Sequence, residues 1–151
     1  MHNTMKKPVV IGFYGESKTG KTTLIVEIVK RLTDEGLKVA TVKITNKNIG
    51  IDTEEKDTWR YGRAGSELVV FSSPIETDFI HMRSKTISNI IDNIEKMGEF
   101  DIIIVEGARD KSISKVRLGD ITERENTIIT YDGDFNGLIE MIKNEFLGGK
   151  I

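Results

Sequence analysis

The 151-residue chain contains no cysteine, no glutamine, two histidines, two prolines and one tryptophan. Without cysteine there can be no disulfide, no thiolate metal site and no cysteine nucleophile, and His2 and His81 alone cannot build a histidine-rich cluster. Any metal must therefore sit on oxygen ligands, which is what Mg²⁺ prefers. The missing glutamine excludes the side chain that many nucleotide hydrolases use to orient water. An excess of one charge is missing too: 22 Lys and Arg stand against 24 Asp and Glu, for a net charge of -2. Such a balance argues against broad binding to nucleic acid or to an anionic membrane. The N-terminal MHNTMKKPVV is polar with only a brief apolar run, so it reads as neither a signal peptide nor a membrane span. A cytoplasmic protein of one domain, residues 1–151, is the expectation.

What the chain does have is Gly15-Glu16-Ser17-Lys18-Thr19-Gly20-Lys21-Thr22, a complete GxxxxGK[ST] phosphate loop. Four fixed positions recur by chance in only ~0.5% of chains of this length at average residue usage. The context also fits. Val9 to Tyr14 reads as a short buried strand, and Leu24, Ile25, Ile28, Val29 and Leu32 share one helical face before Gly36. Glycines at 15 and 20 let successive N–H groups turn toward phosphate oxygens at a helix N-terminus. Lys21 is then placed for the β- and γ-phosphates, the Thr22 hydroxyl for Mg²⁺ and Thr23 for a more distal phosphate. The alternative is a glycine-rich strand-to-helix turn without a ligand.

Strand-like and helical segments alternate beyond this point, as in an α/β protein with a mostly parallel sheet flanked by helices. Lys38 to Ile44, Leu68 to Phe71, Thr77 to Met82, Asp101 to Val105 and Thr127 to Tyr131 read as strands. Ile87, Ile90, Ile91, Ile94 and Met97 mark an amphipathic helix, and Leu138, Ile139, Ile142 and Phe146 mark a closing one. Asp101 to Val105 is the most apolar strand, which predicts a central place in the sheet.

Two segments bring carboxylates toward the phosphate loop. The apolar strand delivers Glu106-Gly107 to its carboxyl end, where Glu106 is a candidate to hold Mg²⁺ or orient water; the alternative is a solvated loop carboxylate. Asp101, at the other end, reads as a turn residue. The polar stretch NIGIDTEEKDTWRYGRAG offers Asp52 and Asp57 as metal or water-positioning groups, with Lys56, Arg60 and Arg63 as phosphate partners. It reads equally as a charged helix start with Asp57 as cap and Trp59 packed inward. Asn46-Lys47-Asn48 is similar to the start of the guanine-reading NKxD motif, but it lacks the Asp and comes too early in the chain. Asp132, in Asp132-Gly133-Asp134 after the late strand, is the candidate to accept from guanine N1 and N2; a plain turn before the last helix is the alternative.

The order VIGFYGESKTGKTTL, KVATVKI, IDTEEKDTWRYGRAGSELVV, DIIIVEGARDKSISKV resembles the protein B family of molybdopterin-guanine dinucleotide biosynthesis over nearly the whole chain. The phosphate loop is shared by many families, whereas the D-x-x-x-K-D-[ST]-[WY]-[RK] stretch combined with a strand ending in Glu-Gly is far more specific. The resemblance implies a P-loop NTPase fold, GTP with Mg²⁺, a homodimer, and a partnership with the guanylyltransferase that joins GMP to molybdopterin, with molybdopterin itself as a further contact. By position it implies nucleotide and metal roles for Lys21, Thr22 and Thr23 and site roles for Asp52, Lys56, Asp57 and Glu106. The chain departs from the family after Lys43, where Ile44 stands in place of a histidine and Thr45 to Asn48 holds none. Slow GTP hydrolysis is expected, with Asp52, Asp57 or Glu106 orienting water and Arg60, Arg63 or Arg109 as candidate arginines across a dimer. Two other functions fit the same residues: a non-catalytic nucleotide-dependent adaptor, and a small kinase or ATP-dependent ligase similar to dethiobiotin synthetases, which carry a like Glu-Gly-Ala.

Overall fold

The computed structural model describes residues 6–148, so His2 and most of the polar N-terminal segment lie outside the described residues. The chain divides into two compact units, one holding the residues up to Thr45 and from Ile87 on, the other Asn46–Thr86. No helix among the described residues is long and apolar enough to cross a membrane.

The larger unit is built on a five-stranded sheet in which every pairing is parallel. Its strands are β1 (Val9–Gly15), β2 (Val39–Lys43), β5 (Ile102–Glu106), β6 (Ser114–Leu118) and β7 (Thr127–Thr130), in the order β2-β5-β1-β6-β7. Helix α1 (Lys21–Asp34) packs Leu24, Ile25, Ile28 and Leu32 onto one face, beside Ile11, Phe13, Ile102, Ile104 and Val116. Helix α4 (Phe135–Met141) and the π-helical turn Ile142–Phe146 that continues it close the same face through Leu138, Ile139 and Ile142. The π turn shifts the register, so the closing helix is not one regular helix. On the other face, α3 (Ile87–Met97) sets Ile87, Ile91 and Ile94 against Ile103 and Val105. Met97, assigned to that stripe by spacing, is 65% exposed.

β5 is interior, as its apolar run predicts, and β1 is the middle strand. Strand β6 has no counterpart in the sequence reading. Two of its five residues are cations, Lys115 and Arg117, which obscure the alternation of Val116 and Leu118.

The smaller unit corrects the expectation of one sheet. Strands β3 (Leu68–Ser72) and β4 (Thr77–His81) pair antiparallel with each other as a separate two-stranded sheet, joined across Ser73-Pro74. Four residues between two strands suffice for a hairpin but not for a parallel crossover. The unit also holds α2 (Asp57–Arg63). Lys56, not Asp57, is its N-cap and makes no side-chain capping hydrogen bond; Asp57 is already in the first helical turn, where its carboxylate complements the helix dipole.

Asp101 closes the amino end of the sheet. Its two oxygens accept from the Lys6 ammonium and the Lys38 backbone N–H, both at 2.8 Å. These bonds, that of Lys6 first, hold the Asp101 carboxyl below its ordinary range. The stabilisation is complete above the unfolded value near 4 and is lost as pH falls through the lower folded value. Asp101→Asn is therefore expected to lower the melting temperature at pH 7 by about 2–4 °C, the equivalent of ~1 kcal/mol in a domain of this size, and to narrow its fall between pH 5 and 3. A melting curve with the wild-type pH dependence would contradict this.

Candidate nucleotide site

The phosphate loop leaves β1 at Gly15 and enters α1 at Lys21 through Gly20, which caps the helix in the left-handed region at φ 86. Lys18 is also left-handed, at φ 67, a conformation that costs a side-chain-bearing residue energy and is kept where a loop must curl. The Thr19 hydroxyl donates to the Glu16 carbonyl at 2.7 Å, and Lys21 Nζ donates to the Gly15 carbonyl at 2.6 Å. Glu16 to Gly20 are exposed, and Lys21 is half-buried. The lysine thus lies folded back over the strand end, as a cradle for an oxyanion requires.

Strand alternation brings in the next two groups. Ile102 and Ile104 face α1, so Glu106, two residues on, faces the same side at the carboxyl end of β5. Its Oε1 lies 3.5 Å from Thr22 Oγ1, and its Oε2 lies 3.9 Å from Lys43 Nζ. Lys43 is in register with Glu106 across β2 and β5 and was not assigned a site role from the sequence. Both contacts are longer than a firm hydrogen bond, so neither uses up the carboxylate. A threonine hydroxyl beside a carboxylate is an oxygen donor set that fits Mg²⁺.

Gly107 explains how Glu106 is held. Its N–H donates to the Phe13 carbonyl at 2.8 Å, while the Ile44 N–H donates to the Glu106 carbonyl at 2.9 Å. The turn is thereby tied to β1 and to the end of β2. Arg109, just beyond it, is exposed.

The other candidates are placed differently. Asp132 follows β7 and is exposed, with Oδ1 accepting from the Asp134 N–H at 2.9 Å; Asp134 in turn caps α4 through the Gly137 N–H. Asp52, Lys56, Asp57, Arg60 and Arg63 belong to the smaller unit. There the Asp52 Oδ1 accepts from the Thr53 N–H, and its Oδ2 is buried without a hydrogen-bond partner. An orphaned carboxylate oxygen is costly and fits a group still to be received. The Arg63 guanidinium lies 5.3 Å over the Trp59 ring. Among the described residues no three His, Cys, Asp or Glu side chains converge as a metal cluster. A metal here would thus rest on Thr22 and Glu106, with ligands outside the protein completing its shell.

Residues 10–140 match the sequence model of the family described as molybdopterin guanine dinucleotide synthesis protein B, MobB. The chain belongs to this family. It is 34% identical over 101 residues to the putative molybdopterin-guanine dinucleotide biosynthesis adapter protein of Methanocaldococcus jannaschii, covering 67% of this chain and 41% of that one. To the molybdopterin-guanine dinucleotide biosynthesis adapter protein of Haemophilus influenzae it is 29% identical over 112 residues, covering 72% of this chain and 62% of that one. The match thus spans less than two thirds of the length of either relative. The crystal structure of Bacillus subtilis MobB superposes with a TM-score of 0.73 at 18% identity, over 91% of this chain and 98% of that one. A MobB homologue from Bacillus stearothermophilus gives 0.69 at 17% identity, over 92% and 98%. These last two likenesses establish the MobB P-loop fold.

Proposed function

We propose that this MobB-family chain is a cytoplasmic GTP-binding accessory protein with slow hydrolysis, serving the guanylyltransferase step that forms molybdopterin guanine dinucleotide. The observation that carries the reading is a complete phosphate loop with Glu106 3.5 Å from Thr22, in a chain matched by the MobB family over residues 10–140. Lys21 exchanges its Gly15 carbonyl for β- and γ-phosphate oxygens, and Thr22 and Thr23 bind through their hydroxyls. Mg²⁺, when bound, neutralises phosphate charge, and Thr22 with Glu106 are the residues to hold it. Asp132 reads the guanine edge. Glu106 orients water, and the absence of glutamine keeps turnover slow. The adapter names of the two relatives favour a second mode, in which bound nucleotide sets the shape that engages the partner and hydrolysis is incidental.

The test is reconstitution with a purified molybdopterin guanylyltransferase. Added chain is expected to raise dinucleotide formation in the presence of GTP, and the Thr22→Ala variant is expected not to. Equal formation with and without the chain would contradict the proposal.

The proposed homodimer has support in the hairpin. An isolated two-stranded sheet is marginal alone, and this one exposes Leu68, Val70 and Phe79 on one face. Sedimentation is expected to give twice the 17.0 kDa chain mass, and Phe79→Asp to give the single-chain mass at the same concentration. A wild-type monomer throughout would contradict it.

A further inference from the structure

The connection from β5 to β6 is Gly107–Ile113, without a helix, although the two strands run parallel on either side of β1. Such crossovers ordinarily take a dozen or more residues. Here the backbone crosses directly over Gly12, where a Cβ would lie 2.5 Å from Ala108 Cβ and 3.2 Å from Ile113 Cγ2. Ala108 and Ile113 are buried. This stretch forms neither ladder nor helix, and although the Asp110 carbonyl accepts from the Ile113 N–H at 3.2 Å, further donors to its carbonyls come from side chains.

Two cations do so. Lys115 is fully buried, and its Nζ donates to the carbonyls of Asp110, of Ile113 at 2.7 Å and of Glu125 at 2.8 Å. Arg124 Nη1 donates to the Ala108 carbonyl at 2.8 Å, its guanidinium lies 4.6 Å over the Tyr14 ring, and its backbone N–H donates to the Tyr14 hydroxyl at 3.0 Å. Burial lowers the proton affinity of both groups below the ordinary value. An apolar pair would cover the crossover at less electrostatic cost, so the cations are spent on fixing backbone position. The point fixed by Arg124 is two residues from Glu106. The segment bearing Arg124 also reaches the phosphate loop, since a Cβ on Gly119 would touch Thr19 Cγ2 at 3.4 Å.

We infer that Arg124, with Lys115 behind it, is a positioning residue that sets the Glu106-Gly107-Ala108 turn and so the place of the Glu106 carboxylate beside the Thr22 hydroxyl. The inference rests on the proposed role of Glu106 toward nucleotide-bound Mg²⁺. Calorimetric titration of GTP into the full chain, with and without Mg²⁺, tests both. Wild type is expected to bind more tightly with Mg²⁺, and Glu106→Gln to lose that gain. Arg124→Met is expected to lose about fivefold of the gain, the equivalent of ~1 kcal/mol, while its Mg²⁺-free affinity stays within about twofold of wild type. Combining it with Glu106→Gln is expected to add nothing to Glu106→Gln alone, because the arginine acts through that carboxylate. Arg124→Lys keeps the charge on a shorter donor and is expected to lose about twofold of the gain, a shift of ~0.4 kcal/mol. If Glu106→Gln keeps the Mg²⁺ effect, or wild type shows none, the metal role falls and the inference with it. If Glu106→Gln abolishes the effect but Arg124→Met or Arg124→Lys retains it in full, or the double variant is additive, the inference alone is overturned.

Discussion

Lys21→Ala is expected to weaken GTP binding by about 100-fold or more while leaving the fold intact. The ammonium donates to the Gly15 carbonyl at 2.6 Å and forms no salt bridge among the described residues, so removing it strands no buried charge. The lost contact with phosphate is charge-assisted and worth roughly 1.5–3 kcal/mol, and ~2.7 kcal/mol corresponds to the 100-fold change. Melting temperature is expected to stay within about 2 °C of wild type, less than ~1 kcal/mol in a domain of this size. Calorimetry and thermal melting on one sample separate the two quantities. Undiminished GTP affinity in a folded variant would mean that the loop does not bind phosphate.

The second large effect is on stability. Gly107 sits at φ +83, and a Cβ there would press on the Ile44 carbonyl oxygen, which is backbone and cannot turn aside. An alanine pays about 1–2 kcal/mol for the left-handed conformation, and further for the collision. A loss of roughly 3 kcal/mol is expected for Gly107→Ala, or about 6–12 °C in melting temperature at 2–4 °C per kcal/mol. The control is Gly133→Ala. Its φ is +93 but no atom lies within 4 Å of the added Cβ, so only the left-handed cost applies. Equal losses in the two variants would show that the approach to Ile44 carries no weight. The turn must shift to admit the methyl group, so Gly107→Ala is also expected to lose the Mg²⁺-dependent gain in GTP affinity attributed to Glu106.

Local pattern made most of the larger unit legible. The VVIGFY and DIIIV runs are buried strands because residues buried on both faces must all be apolar, and the stripe from Leu24 to Leu32 is a helix because those residues recur every three or four positions. The phosphate loop was legible because its spacing is dictated by its ligand. What escaped was tertiary. Nothing in LVVF or TDFI tells a strand of the main sheet from one of a separate hairpin; only the short turn between them does. Asp57 as cap failed because capping depends on where the backbone turns helical, one residue earlier than the carboxylate suggests. The nearness of Lys43 to Glu106 follows from β2 lying beside β5, a matter of strand order. Lys115 and Arg124 look like surface cations in the sequence. Their partners are carbonyls of a crossover whose path over Gly12 no periodicity encodes. A lysine at a strand position facing the core is the one sign that could have marked the first of them.

The most direct test of the account is the calorimetric comparison of GTP and ATP, each with Mg²⁺, on the wild-type chain. GTP is expected to bind at least about tenfold tighter, a difference of ~1.4 kcal/mol in favour of the guanine edge. Equal or tighter binding of ATP would contradict it and point to a small-molecule kinase or ATP-dependent ligase built on the same loop.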